Sequence, residues 1–105
     1  MTEEWIETLK DRVSGFLRRN HDAEVVDFIA FGSVASGEFR PGESDLDVIV
    51  VVDELDEPGD AFFMSEDVKH HVSVEDTPAV GVDAVVTPRD DVPEAKELFD
   101  DTKPI

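Results

Sequence analysis

Asp45-Leu46-Asp47 stands at the head of the apolar run Val48-Ile49-Val50-Val51-Val52. Two acids with one residue between them at the start of a strand project from the same face, roughly 6.5 to 7 Å apart along the chain. Carboxylates beside an apolar core are costly unless something positive compensates them, and no Lys or Arg adjoins this pair in sequence. A divalent cation is the simplest counter-charge, and hard oxygen ligands select Mg²⁺ or Mn²⁺. Asp83 repeats the situation between Val82 and Ala84-Val85-Val86. If its strand neighbours the first at the usual spacing of about 4.8 Å, its carboxylate joins the same face. Three such groups suit metal activation of an attacking oxygen and stabilisation of a leaving pyrophosphate. Upstream, the run 25–31 ends in Gly32-Ser33, where a strand leading into a short helical turn offers backbone N–H groups and a hydroxyl to phosphate oxygens. The candidate metal and catalytic residues are therefore Asp45, Asp47 and Asp83, and the candidate phosphate cradle is Gly32 with Ser33. The plainer alternatives are a solvated pair on an edge strand, an exposed mid-strand acid and a simple helix cap.

Periodicity supplies the elements that must position these residues. Trp5, Ile6, Leu9, Val13, Phe16 and Leu17 recur at spacings of three and four, predicting an amphipathic helix over residues 3–20. Thr2 is its expected N-cap, with Glu3 and Glu4 at the positive end of the dipole and Arg18 and Arg19 at the negative end. Strands are predicted over 25–31 and 46–52, separated by a loop containing Gly37, Pro41 and Gly42. Residues 53–60, with Pro58 and Gly59 among five acids, read as a solvated connection. Ala61, Met64, Val68 and Val72 predict a helix over 60–72, and a third strand spans 82–87 before Pro88. A last helix is expected with Pro93 in its first turn and Ala95, Leu98 and Phe99 on its inner face. Trp5, Phe62, Phe63 and Phe99 are expected in the core, and His70 and His71 on the surface, since adjacent histidines point to different sides. The order predicts an α/β (α+β) domain with a small mixed sheet flanked by helices, spanning residues 1–105 as one unit.

Composition narrows the functions open to such a domain. The chain has 105 residues, with 27 Asp or Glu against 9 Lys or Arg, a formal net charge of −18 and no cysteine. Disulfides, thiolate catalysis and cysteine zinc sites are excluded. The acidic start, Met1-Thr2-Glu3-Glu4, and the lack of any apolar run near the ~18 residues of a membrane helix point to a soluble, cytoplasmic protein. No basic cluster exceeds Arg18-Arg19, so direct nucleic-acid binding is disfavoured. Acid excess, four Lys and sixteen Val together look like adaptation to a high-salt cytoplasm.

Gly32-Ser33, Asp45-x-Asp47 and a later-strand Asp83 together resemble the minimal nucleotidyltransferases of the DNA polymerase β-like nucleotidyltransferase superfamily, over residues 3–99. The resemblance implies that the first two Asp bind Mg²⁺ and nucleotide phosphates, that the third helps activate an acceptor hydroxyl, and that Gly and Ser hold the triphosphate. It implies transfer of a nucleoside monophosphate from ATP or another NTP (AMP where the donor is ATP) onto a hydroxyl, with release of pyrophosphate. Relatives often carry Arg where Ser36 stands, and the eleven residues between Ser33 and Asp45 are one more than usual. Arg40, in that spacer, is the nearest replacement charge. Minimal nucleotidyltransferases are frequently encoded beside HEPN-domain RNases and act as their antitoxins, by adenylylating or by masking the toxin. The implied partner is thus a HEPN-domain toxin. A fold-retaining module that only masks its partner, and an acidic structural domain with no ligand, are the other two readings.

Overall fold

The computed structural model describes residues 3–57 and 59–105; Thr2, the expected cap, and Pro58 lie outside the described residues. Helix α1 (Glu4–His21) buries Ile6, Leu9, Val13 and Leu17 as one stripe. Glu4 and Glu7 lie in its first turn and Arg18, Arg19 and His21 in its last, each sign favourable to the helix dipole. Asp22 ends it in the left-handed region at φ 51°. Strand β1 (Val25–Phe31) runs into a five-residue helix, α2 (Gly32–Ser36), and β2 (Leu46–Val52) follows after a turn-rich loop. Helix α3 (Asp60–His71) then crosses back to β3 (Val82–Pro88). A single 3₁₀ turn (Arg89–Asp91) leads into α4 (Val92–Glu97), and the chain returns as β4 (Thr102–Pro104).

Among the described residues these strands form one mixed sheet in the order β3-β2-β1-β4. The β1 strand is antiparallel to β2 and to β4, whereas β2 and β3 are parallel. Because β2 is central, both of its faces are covered, which is why it reads as an unbroken Val and Ile run. Leu46, Val48, Val50 and Val52 point into the larger core with Leu9, Val13 and Leu17 of α1 and Met64 and Val68 of α3. The alternate residues Ile49 and Val51 join Ile29, Phe31 and Ala95 of α4 in a smaller core on the opposite face. The smaller core stops short of the beginning of β2, and there the alternation places Asp47 instead of an apolar residue.

The mixed α/β architecture agrees with expectation, and the bounds of β1 and β2 coincide with it. Two expectations need correction. Phe62 and Phe63 are not core residues; they are 64% and 65% exposed and meet each other edge to face at 5.8 Å. Leu98 is not on the inner face of α4, being 76% exposed and just past the helix end. The predicted order contains no strand after the last helix, and the structure adds one: β4 pairs with β1 through Ile29↔Pro104, Ala30↔Lys103 and Phe31↔Thr102. Trp5 is half-buried, stacked on Phe39 with ring centroids 4.8 Å apart, and His70 and His71 are exposed as expected. Among the described residues no helix is long and apolar enough to cross a membrane.

Candidate active site

The C-terminal end of β1 and the N-terminal ends of β2 and β3 meet at one end of the sheet, a consequence of β1 running against the other two. All five residues singled out in the sequence lie there. Asp47 and Asp83 are register partners across the parallel β2–β3 pair. Strand alternation puts Asp83 on the face of Val85, which packs in the smaller core, and Asp47 on the face of Ile49. The two carboxylates therefore leave the same face of adjacent strands, with backbones roughly 4.8 Å apart. Asp45, one residue before β2, has the same phase.

The electrostatics follow from this proximity. Burial, followed by the charges of Asp83 and Asp45, pushes the Asp47 carboxyl up to about 6 from an ordinary 3.8. Among the described residues the ion pairs are Lys10–Glu7, His21–Asp67 and Arg89–Asp53, so none relieves this cluster. Hard oxygen donors that repel one another on one face fit a divalent cation, whose charge would remove that repulsion. Among the described residues no group of three or more His, Asp or Glu side chains is arranged to hold a metal ion by itself.

Gly32 faces this cluster from β1. Its φ of +64° turns the chain from strand into α2, a conformation that favours glycine. A side chain there would overlap the Asp47 carboxylate, with Asp47 Cγ 3.1 Å and Cβ 3.3 Å from the position a Cβ would take. Glycine thus serves both the turn and the seating of Asp47. Ser33 is half-buried; its carbonyl accepts the Glu38 N–H at 2.9 Å and the Ser36 hydroxyl at 3.4 Å. Among the described residues its own hydroxyl has no protein partner. A groove of ≈ 480 Å³ opens beside Gly32 and Ser33. One wall is Phe31 stacked on Phe99 at 3.9 Å, and Glu38, Asp100 and Asp101 also line it. Asp100 and Asp101 carry no sequence motif and reach the groove because β4 brings the chain back beside β1. A larger cavity of ≈ 560 Å³, around Trp5, Phe39 and Pro78, is lined by none of the five site residues.

Ser36 and Arg40 are both exposed, and Arg40 forms no ion pair among the described residues. Its carbonyl accepts the N–H groups of Glu43 and Ser44 at 3.0 Å each, closing a turn that takes up the long spacer before Asp45. The extra residue is thus absorbed in the loop, and the phase of Asp45 with Asp47 is kept.

No curated protein and no solved structure matches the chain. A family model described as a nucleotidyltransferase domain matches residues 10–103. That span runs from the first half of α1 into β4 and includes Gly32, Ser33, Asp45, Asp47 and Asp83. The likeness of motif, the mixed sheet and the family match agree, and the chain belongs to the nucleotidyltransferase domain family, within the DNA polymerase β-like superfamily.

Proposed function

We propose that this nucleotidyltransferase domain binds ATP with Mg²⁺ and transfers AMP to a hydroxyl of a partner protein in the cytoplasm, the partner being a HEPN-domain RNase toxin for which it is the antitoxin. The observation that carries the chemical part is the pairing of Asp47 with Asp83 on one face, opposite a Gly32 whose missing side chain accommodates the Asp47 carboxylate. The assignment of ATP, Mg²⁺ and a HEPN partner rests on the family resemblance.

Asp45 and Asp47, with Asp83 as a third ligand, would hold the cation. When bound, Mg²⁺ supplies charge neutralisation for the triphosphate and polarises the α-phosphate. Gly32 and Ser33 bind phosphate oxygens through backbone N–H groups and the free hydroxyl. The acceptor oxygen forms a bond to the α-phosphorus as the bond to the β-phosphate oxygen breaks and pyrophosphate leaves. Asp83 takes the acceptor's proton. The Phe31–Phe99 stack forms a wall of the groove beside Gly32 and Ser33.

A second reading, a masking module with weak or no catalysis, is favoured by the groove itself. Glu38, Asp100 and Asp101 line it and Ser36 occupies the place of the usual Arg, so phosphate binding depends on cations to an unusual degree. Incubation with α-labelled ATP, Mg²⁺ and the product of the adjacent gene in multimolar KCl separates the two. Label on the partner supports transfer; a stable unlabelled complex that silences the RNase supports masking. Loss of Mg²⁺-ATP binding in Asp45→Asn and Asp47→Asn is expected in either case.

A further inference from the structure

The loop before β2 and the segment before β3 run side by side. Gly42 N–H donates to Pro78 O at 2.7 Å, Val80 N–H to Ser44 O at 3.1 Å, and Leu46 N–H to Gly81 O at 2.9 Å. The parallel pairing of β2 and β3 is in this way prolonged upstream, and the backbone of Asp45 is fixed on both sides, by residues 80 and 81. With the backbone held, the carboxylate's place is set by its own torsions and by what stands opposite. Gly81 stands opposite. A Cβ at Gly81 would lie 2.9 Å from Asp45 Oδ1 and 3.7 Å from its Cγ, with nothing else in reach. A separation below 3.0 Å is one that real Cβ atoms essentially never show, so the carboxylate would have to swing away.

The backbone gives no separate reason for glycine here. The glycines with positive φ among the described residues are Gly32, Gly37 and Gly42, and Gly81 is not among them. We infer that Gly81 is a positioning residue, whose bare Cα keeps open the place in which the Asp45 carboxylate stands toward the cation site. Gly32 keeps the corresponding space for Asp47, so each carboxylate of the Asp-x-Asp pair is seated against a glycine of a neighbouring strand end. The inference rests on the proposed metal-holding role of Asp45.

Gly81→Ala in the full chain tests it. Since the displaced atom is the far end of a flexible side chain, the variant folds, with a Tm in EDTA within about 3 °C of the parent. Mn²⁺ titrated into the protein and followed by its free-ion EPR signal should bind about 10-fold more weakly, the scale of loss when a supporting residue around a metal is changed. Asp45→Asn should weaken binding at least as much, and Gly81→Ala should add nothing to it, because the two act through one carboxylate. Val80→Ala, an exposed neighbour, should bind as the parent does. If Gly81→Ala does lower the Tm, adding Asp45→Ala should restore it, and failure to restore overturns the inference. Parent-like Mn²⁺ binding in Gly81→Ala alongside a loss in Asp45→Asn, or full additivity of the two, overturns this inference alone. Parent-like binding in Asp45→Asn overturns the reading of the cation site and this inference with it.

Discussion

Asp47 carries the sharpest trade between folding and function in the molecule. Its carboxyl titrates near 6 because burial and two like charges disfavour the ionised form. For an acid whose folded value is raised, the folded chain binds more protons than the unfolded one between about pH 4 and 6. The resulting stability is present below pH 4 and lost as pH rises through 6. At neutral pH the cation-free protein therefore holds an unfavourable charge at the proposed active site. Asp47→Asn should raise the stability of the cation-free protein at pH 7.5 by about 1 kcal/mol, a figure discounted for the partial exposure of the group. It should leave stability at pH 4 unchanged. Thermal melts from pH 4 to 8 in EDTA check the difference between the two proteins, which cancels the titration of all other acids. Saturating Mg²⁺ should then raise the Tm of the parent and not that of the variant. A variant less stable than the parent at pH 7.5 would mean that Asp47 is held by a favourable partner and is no site of stored repulsion.

At the scale of elements, the cover over the cradle depends on one aromatic contact. Phe31 is the last residue of β1 and directly precedes Gly32, and its ring is stacked on Phe99 with planes 16° apart. Phe99→Ala should cost about 1–3 kcal/mol in urea unfolding and weaken nucleotide binding, because Gly32 is anchored through Phe31. Leu98→Ala, one residue earlier but exposed, should stay within about 0.5 kcal/mol. The pair also marks how far the sequence can be read. Val25–Phe31 and Leu46–Val52 are delimited by dense apolar runs, and period-two alternation alone places Asp45 and Asp47 on one face. The Gly-Ser turn is legible for the same reason, since Gly32 breaks an apolar strand. Other features depend on pairings that no local pattern records. Thr102–Pro104 is too short to alternate and contains a proline, a composition that fits an edge strand but does not announce one. Without β4, the approach of Asp100 and Asp101 to the groove is invisible. The seating of Asp45 against Gly81 requires the register of β2 on β3. The error at Phe62 and Phe63 is of another kind, because helical phase already excludes them. At roughly 100° per residue, Ala61, Met64 and Val68 share one side of α3, and both phenylalanines fall off it. Residue type outweighed phase in that expectation.

For the whole molecule the governing quantity is charge density. A net charge of −18 is confined within a radius of gyration of 12.7 Å and extents of 36 × 28 × 22 Å. Even if each of the nine basic residues were paired, eighteen acids would remain. The pairs that do form among the described residues lie at or near the surface, where such contacts contribute little. Cohesion therefore comes from the two apolar cores, and repulsion between acids works against it. At 0.1 M salt the Debye length, about 10 Å, is comparable to the molecular radius, so like charges on much of the surface sense one another; at 1 M it is about 3 Å and only near neighbours do. Thermal stability should accordingly climb steeply with KCl between 0.1 and 1 M and flatten beyond, as scanning calorimetry over a KCl series would show. Neutralising Glu54, Asp56 and Glu57 to their amides should raise the Tm at 0.1 M and shorten the climb. A Tm insensitive to KCl would mean that the acids are compensated locally, and a climb continuing undiminished above 1 M would point to salt acting through the apolar cores. The same screening decides the active site's working range. Long-range repulsion of a triphosphate by the acidic surface fades in salt, whereas a cation held, as proposed, between Asp45, Asp47 and the phosphates would act within a few ångströms and be screened far less. Nucleotide binding at saturating Mg²⁺ should therefore tolerate, and in the range from 0.1 to 1 M improve with, KCl, the reverse of a protein that holds its nucleotide by exposed Lys and Arg.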